Sequence, residues 1–294
     1  MHEFFLEDKI QLRERERMAQ LELIVFDTLW LDGGAMFGSV PKTLWSRLTP
    51  PDELNRIKLV TRSVILRDGT RKVLVDTGVG EIWQQKHQSY YNFHHHITPS
   101  AISGITDVII THLHFDHAGG LVRKDASGMT VLSFPDALHH CHKINWEQAL
   151  NPSTREQASY LTSYLFPLKS ATLNLLTEET STIADMAIGT VVNGHTEGLM
   201  WIRFQVGETT YAFPSDLVPT SHHLSLPYIM GYDMCARATL KEKEFFLTKA
   251  VENSWVIIFQ HDPDVAAATI SRSAKGDFIL KDIVSIDEYF PMDT

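Results

Sequence analysis

The sequence predicts an α/β protein whose functional groups lie at the ends of buried strands. Short apolar runs rich in β-branched residues recur along the 294 residues, and turns rich in glycine or proline separate them. Histidine or aspartate directly follows several of these runs, and α/β sheets carry their chemistry at the carboxyl ends of strands. No repeat or low-complexity segment interrupts the pattern, so we expect one domain over 21–294 after an N-terminal arm over 1–20.

The first half of the chain predicts four strands, at Leu21–Leu31, Lys58–Leu66, Lys72–Val75 and Asp107–Ile110. Glycines punctuate Asp32–Gly38, which is expected to form a loop, and Asp68-Gly69 is a hairpin turn. His94–His96 lies in a segment without strand or helix pattern, which we expect to form a flap or lid rather than a metal site. Pro99–Gly104 predicts a short helix that leads into the fourth strand.

The second half predicts further strands, at Thr130–Phe134, Ala137–His142, Ala187–Asn193, Leu199–Val206, Thr209–Phe213 and Trp255–Phe259, and a final hairpin within Ile270–Ile279. Ser153–Leu168 reads as an irregular insertion that could cover a pocket. Thr239–Glu252 predicts an amphipathic helix, with one apolar side formed by Leu240, Phe245, Phe246, Leu247 and Val251. The histidines at 139, 140 and 142 are expected to lie on the surface or to orient other groups.

The composition excludes several classes of function. A net charge of −10 argues against a nucleic-acid partner, which requires clustered lysine and arginine. No apolar run approaches the length of a membrane span, and the N-terminus lacks a signal-type apolar core. Two distant cysteines, Cys141 and Cys235, favour reduced thiols and a cytoplasmic protein. We therefore expect a small-molecule substrate, no nucleic acid and no membrane, and we leave a homodimer open.

Three histidines and one aspartate fall within six residues directly after the strand at Asp107–Ile110. His112, His114 and Asp116 share one side of an extended segment, whereas His117 requires the chain to turn. One loop could thus serve two metals, the first through His112 and His114 and the second through Asp116 and His117. Imidazole and carboxylate ligands suit Zn, Fe, Mn, Co or Ni. The alternative, a histidine-rich surface loop, fits this spacing poorly.

Four other strand ends present metal-competent side chains, at Asp76, His195, Asp216 and His261. An aspartate at a buried strand end is costly unless it is hydrogen-bonded or lies near a cation. Asp76 is therefore interpreted as a carboxylate that orients a ligand, with a helix N-cap for Val79–Lys86 as the alternative.

Together, these residues resemble the five motifs of the metallo-β-lactamase superfamily, from about Leu21 to the C-terminus. Asp32–Lys42 is similar to the opening segment of the YtnP-type and AiiA-type quorum-quenching lactonases, and Ser215–Thr220 followed by His223 also looks YtnP-like. Methyl parathion hydrolase is a more distant relative. The resemblance implies an αβ/βα four-layer sandwich, with two β-sheets flanked by helices.

The resemblance also implies a ligand set for two divalent metals, with zinc the first choice. One metal would take His112, His114 and His195, the other would take Asp116, His117 and His261, and Asp216 would bridge them. The chain departs from the AiiA-type pattern at Pro219, where those lactonases place a tyrosine, and at Thr196-Glu197-Gly198 after the third motif. Both departures concern the substrate rather than the metals.

The function implied is hydrolysis by a metal-bridging hydroxide, with Asp116 and Asp76 as catalytic residues. Asp116 would carry a proton to the leaving group, and Asp76 would fix a ligand imidazole. The candidate substrate-binding residues are Met36, Phe37, Phe115, His223 and Tyr232, of which Met36, Phe37 and Phe115 could equally be core side chains.

The favoured substrate is an N-acyl homoserine lactone or a similar ester. The alternatives are a phosphotriester, β-lactam or thioester hydrolase with the same site and, further away, a metal-dependent oxidoreductase or dioxygenase of the same fold. A nuclease would need a basic groove, and a non-enzymatic relative would have lost ligand residues.

Overall fold

The computed structural model describes residues 19–83, 85–98 and 102–289, so nearly all of the predicted arm over 1–20 lies outside the described residues. Seventeen strands are found in the described part: β1 (Gln20–Asp32), β2 (Arg56–Asp68), β3 (Arg71–Val75), β4 (His94–His95), β5 (Asp107–Ile109), β6 (Val122–Lys124), β7 (Thr130–Leu132), β8 (Leu138–His142), β9 (Thr172–Leu176), β10 (Thr180–Ile183), β11 (Ala187–Val192), β12 (Leu199–Val206), β13 (Thr209–Phe213), β14 (Val256–Ile258), β15 (Ala267–Arg272), β16 (Phe278–Ile283) and β17 (Glu288–Tyr289).

The helices are short except for the last. They are α1 (Gly33–Phe37), α2 (Lys42–Trp45), α3 (Gln85–Tyr91), α4 (Phe115–Ala118), α5 (Lys143–Leu150), α6 (Thr162–Leu168) and α7 (Ala236–Glu252). None of the described helices has the length and apolar character that a membrane span requires.

Two large sheets form the centre of the fold. The first has the order β17-β1-β2-β3-β5-β8-β9, with β4 paired to β1, and the second has the order β10-β11-β12-β13-β14-β15-β16. The strand β5, which precedes the histidine motif, runs parallel to β3 and β8. Its carboxyl end therefore meets the ends of its neighbours at one edge of the sheet, as the sequence predicts.

Three apolar clusters hold the layers together. Side chains of both sheets, such as Val64 and Val75 from the first and Ile202 and Ile258 from the second, form one buried cluster between them. The outer face of the first sheet packs against α5 and α6. The outer face of the second sheet packs against α7, through residues such as Phe246. The predicted fold of two sheets flanked by helices is confirmed.

Four local predictions are wrong. The expected loop at Asp32–Gly38 contains α1, because Asp32 Oδ1 caps it by accepting from Ala35 N at 2.7 Å. His94–His95 forms a short strand on Asp27-Thr28, where a segment without regular structure was expected. The insertion at Ser153–Leu168 ends in the helix α6. No strand was predicted at β6, β9, β10 or β17, which the structure adds.

Two helix predictions need correction. Of the helix expected at Pro99–Gly104, residues 99–101 lie outside the described residues, and Ile102–Gly104 is not helical. In α7, Leu240 and Phe245 are 38% and 56% exposed rather than buried. The buried side instead includes Lys243, whose Nζ donates to the carbonyl oxygens of Ser225 and Tyr228.

Candidate metal centre

The seven candidate ligands lie on loops that leave the two sheets at one edge. The loop after β5 and the short helix α4 carry the motif from His112 to His117. His195 follows β11, Asp216 lies in a short 3₁₀ helix after β13, and His261 follows β14. All seven are buried, and they form two groups. Within each group, the ligand atoms all lie within 4.8 Å of one another.

The first group contains His112, His114, His195 and Asp216. His114 Nδ1 lies 3.1 Å from Nε2 of His112 and 3.1 Å from Nε2 of His195. Asp216 Oδ2 lies 3.1 Å from His195 Nε2 and 3.8 Å from His112 Nε2. Three imidazole nitrogens and one carboxylate oxygen therefore surround a common point.

The second group contains Asp116, His117 and His261, and it borders the other oxygen of Asp216. Each carboxylate oxygen of Asp116 lies 3.7 Å from one imidazole, Oδ1 from His117 Nε2 and Oδ2 from His261 Nε2. Asp216 Oδ1 is 3.0 Å from His261 Nε2 and 3.5 Å from His117 Nε2. The two oxygens of Asp216 thus face the two groups separately.

The donor atoms of the second group fit a cation. His117 Nε2, His261 Nε2 and Asp216 Oδ1 are buried and make no hydrogen bond within the described residues. Buried polar atoms are normally paired, so three such atoms that face one point indicate a missing partner. Neutral imidazoles and carboxylates are the usual ligands of zinc and related divalent metals.

The charges in the site favour a cation at some positions and a proton at others. Burial lowers the pKa of His117 and of His195, but neighbouring carboxylates outweigh it and raise the pKa of His117 well above its usual value and that of His195 to about 10, so a cation would bind there in exchange for a proton. Burial raises the pKa of Asp216, but His117, His195 and His261 oppose it, and the net pKa lies well below the usual range. Asp216 therefore stays ionised, which is the form that binds a cation. Burial, aided by the neighbouring imidazoles, holds the pKa of His112 and of His114 well below the usual value.

Carboxylates and a carbonyl orient three of the imidazoles. His117 Nδ1 donates to Asp76 Oδ2 at 2.9 Å, His195 Nδ1 donates to Asp233 Oδ1 at 2.8 Å, and His261 Nδ1 donates to Val60 O at 2.8 Å. Each bond leaves Nε2 free to face the centre. Asp233 was not identified from the sequence, because it follows no strand and meets His195 only in the folded chain.

Asp76 has the position predicted for an orienting carboxylate. Its oxygens also accept from Thr111 N at 2.8 Å and from Thr111 Oγ1 at 2.7 Å. No helix begins in the described residues that directly follow it, so the alternative of an N-cap fails. Its φ of +58°, in the left-handed region, indicates that this network holds the backbone in a strained conformation.

The model of one protein family, the metallo-beta-lactamase superfamily, matches residues 57–261. This match covers more than half of the chain and includes all seven candidate ligands. The chain belongs to the metallo-beta-lactamase superfamily. The predicted assignment to a metal-dependent hydrolase of this superfamily is thereby confirmed, and the superfamily uses divalent metals, typically zinc. A search of curated proteins found no match.

Several solved structures share this metallo-beta-lactamase fold. A probable metal-dependent hydrolase from Staphylococcus aureus is 24% identical, with a TM-score of 0.79 over 92% of this chain and 99% of that one. AidC, a dizinc quorum-quenching lactonase in complex with its product N-hexanoyl-L-homoserine, is 17% identical, with a TM-score of 0.70 over 92% and 100%. An N-acyl homoserine lactone hydrolase, with the same product bound at its catalytic metal centre, is 15% identical, with a TM-score of 0.65 over 84% and 95%.

Two loops of the metallo-beta-lactamase site touch through their backbones. Thr77 N donates to His117 O at 2.7 Å, directly beside the second group. A Cβ added to Gly119 would lie 1.9 Å from Val79 O, and one added to Gly80 would lie 2.4 Å from the carbonyl carbon of Gly119. Only glycine fits at both positions.

A cavity of about 320 Å³ opens beside the two groups. Three of the predicted substrate-binding residues, Met36, Phe115 and Tyr232, line it. Its other walls include Leu31, Leu59, Tyr91, Arg155, Glu156 and Met230, and the insertion at Ser153–Leu168 thus covers a pocket as expected. Tyr91, at the end of α3, lies against another wall of the cavity, with its ring centroid 5.7 Å from that of Phe115.

Phe37 and His223 were expected to contact the substrate, but they are not among the residues that line this cavity. Both are buried, and their rings stack with centroids 4.9 Å apart. His223 Nε2 donates to the carbonyl oxygen of Met36 at 2.9 Å, and burial lowers the pKa of His223 to about 3. The two side chains therefore support Met36 from behind.

The remaining histidine clusters lie outside both groups. His139, His140 and His142 are buried rather than on the surface, because β8 is an inner strand of the first sheet. His140 Nε2 donates to Asp107 Oδ1 at 2.9 Å, which pairs it within the sheet. In the other cluster, His95 Nδ1 donates to Asp27 Oδ1 at 2.6 Å.

Proposed function

We propose that this protein hydrolyses lactones or related carboxylic esters with two metal ions, and that N-acyl homoserine lactones are the first substrates to test. The proposal of two metals depends on the orientation of the Asp216 carboxylate. Its Oδ2 faces one group of ligands, and its Oδ1 faces the other. Seven buried side chains of metal-binding type thus lie in one site, in two groups, which supports a proposal of two metals.

The first metal would be held by His112, His114 and His195, and the second by Asp116, His117 and His261, with Asp216 shared. When bound, the metals would supply a water of lowered pKa and polarise the oxygen of the substrate carbonyl. The side chains of this chain would do the rest. Asp76 holds His117 in the tautomer that presents Nε2, and Asp233 does the same for His195.

Asp116 is proposed to accept a proton that the attacking water gives up and to deliver it to the leaving alcohol. Opening an ester or lactone breaks the bond between the acyl carbon and the alcohol oxygen, which leaves as an alkoxide unless it is protonated. Asp116 adjoins Phe115, which lines the cavity, so a leaving group could come within reach of its carboxylate.

The walls of the cavity support a substrate with an apolar part. Met36, Phe115 and Met230 offer apolar contact surface, which suits an acyl chain. Tyr232 also lines the cavity and is 41% exposed, and a tyrosine hydroxyl is neutral near pH 7 and can donate a hydrogen bond. We propose that Tyr232 polarises the carbonyl in place of the tyrosine that Pro219 replaces.

The lactonase neighbours support the same substrate class, since one is described as a dizinc enzyme and two contain N-hexanoyl-L-homoserine. The test is a panel of substrates on zinc-loaded protein: N-hexanoyl and N-decanoyl homoserine lactone, a simple aryl ester, a phosphotriester, a β-lactam and a thioester. We expect turnover of the lactones above the other classes. Robust phosphotriester or β-lactam turnover without lactone turnover would refute the proposed substrate.

A further inference from the structure

Arg62 is a buried cation that lies directly behind the loop of the ligand His261. It belongs to β2, and its side chain is 2% exposed. Its Nη1 donates to Phe259 O at 2.5 Å and to Asp262 O at 2.8 Å. One guanidinium nitrogen thus donates hydrogen bonds to the backbone carbonyls on both sides of Gln260 and His261.

Glu288 of the C-terminal strand β17 balances this charge. Arg62 Nε donates to Glu288 Oε1 at 2.5 Å, and the Glu288 side chain is 18% exposed. β17 reaches this position because it pairs with β1, with Glu288 opposite Leu23. A buried guanidinium without a carboxylate is strongly disfavoured, so the placement of Arg62 depends on Glu288.

The backbone of β2 reinforces the same contact. Arg62 N donates to Gln260 O at 2.9 Å, and His261 Nδ1 donates to Val60 O at 2.8 Å. The loop that carries His261 is therefore fixed against β2 by its carbonyl groups and by the imidazole itself.

The loop supplies two side chains to the second group of ligands. His261 Nε2 lies 3.0 Å from Asp216 Oδ1. Gln260 Nε2 donates to Asp76 Oδ2 at 3.3 Å, and the same oxygen accepts from His117 Nδ1. A shift of this loop would therefore displace one ligand and disturb the orientation of another.

We propose that Arg62 and Glu288 are positioning residues for the second metal, which makes the C-terminal strand part of that metal's site. The inference rests on the two-metal site of the proposed function. The first metal should be affected much less, because His195 is oriented by Asp233 and none of the described contacts joins Arg62 to His112, His114 or His195.

The test compares zinc retention in Glu288→Gln, Arg62→Met and a matched control. Glu288→Gln keeps the shape of the side chain and removes its charge. Glu22→Gln is the control, because Glu22 also forms an ion pair with an arginine of β2, Arg67, at 2.9 Å, on a more exposed part of the same sheet and away from the ligands. Each zinc-loaded protein is dialysed against a series of chelator concentrations, and bound zinc is measured by elemental analysis.

We expect wild type and Glu22→Gln to bind two zinc ions alike. Glu288→Gln and Arg62→Met should bind the second ion about 10–100-fold more weakly while the first ion is retained, since loss of a partner that orients a ligand has this effect on metal affinity. The melting temperatures of the metal-free proteins provide the second readout. A merely structural role would lower them without a selective loss of one ion.

Three outcomes would overturn the inference: unchanged affinity for the second ion, equal loss of both ions, or the same selective loss in Glu22→Gln. If Arg62→Met does not fold, Glu288→Gln decides alone. A wild-type protein that binds only one zinc ion would overturn the two-metal proposal together with the inference, and this would be seen before any variant is made.

Discussion

Replacement of Asp233 by asparagine should weaken the first metal site without unfolding the protein. Asp233 Oδ1 accepts from His195 Nδ1 at 2.8 Å, and the two residues are 6% and 2% exposed. Asparagine is nearly isosteric and can still accept this hydrogen bond, but it removes the negative charge. The perturbation is thus confined to the electrostatics of one buried contact.

The magnitude follows from the type of hydrogen bond. A bond to a charged group contributes about 1.5–3 kcal/mol, against about 0.5–1.5 kcal/mol for a neutral one. The midpoints of these ranges differ by about 1.25 kcal/mol, which corresponds to about an eightfold loss of affinity for a metal bound by His195. A metal-free sample titrated with zinc in the presence of a chromophoric competitor measures this loss directly.

The chain offers a matched control for Asp233→Asn. Asp107 and His140 form a buried pair of the same kind, with Oδ1 and Nε2 2.9 Å apart, outside both groups of ligands. Asp107→Asn should lower the stability of the protein and leave zinc affinity unchanged. Unchanged zinc affinity in Asp233→Asn, or an equal loss in Asp107→Asn, would refute the reasoning.

Three further predictions follow from single side chains. Asp216→Ala should reduce zinc binding at both groups and abolish hydrolysis, and a variant that keeps two zinc ions and full activity would rule out its shared role. Burial lowers the pKa of His139 below its usual value, so the folded state resists its protonation, and stability should fall as the pH drops through about 6.5. Between pH 7 and pH 5, urea unfolding should show a smaller loss of unfolding free energy for His139→Leu than for wild type. The variant should keep the wild-type zinc content. The hydrogen bond to Asp27 raises the pKa of His95 in the folded protein. Protonated His95 therefore stabilises the folded state fully below about pH 6.5, and this contribution is lost as the pH rises through the higher folded-state pKa. The difference in unfolding free energy between wild type and His95→Gln should therefore shrink from pH 6 to pH 9, and a constant difference would contradict the assignment.

The positions of the seven candidate ligands could be predicted because each depends on a local pattern. A short apolar run indicates a buried strand, and the polar residue that follows must lie at its end. His195, Asp216 and His261 were found in this way, and the topology then brings those ends to one edge. Strand-end polarity thus predicted which side chains the fold brings together. Their role as metal ligands stays a prediction.

The supporting residues could not be predicted, because their partners are distant in sequence. Asp233 lies in a turn without any regular pattern, and it acquires its role only when His195 folds against it. Arg62 occupies an alternating strand, where an arginine normally points to solvent. The aromatic side chains of Phe37 and His223 indicate that both residues are buried. They do not indicate that both lie behind Met36 rather than in the cavity wall.

The contact between Gly80 and Gly119 limits how this protein can change its activity. Because no side chain separates the two loops, no substitution there can widen or narrow the gap by a small step. Variants selected for a new substrate should therefore accumulate at Met36, Tyr232 and Arg155, while libraries that randomise the two glycines should return almost only the parental codons. The loops that carry the ligands would therefore stay constant among variants, and the residues that line the cavity would vary.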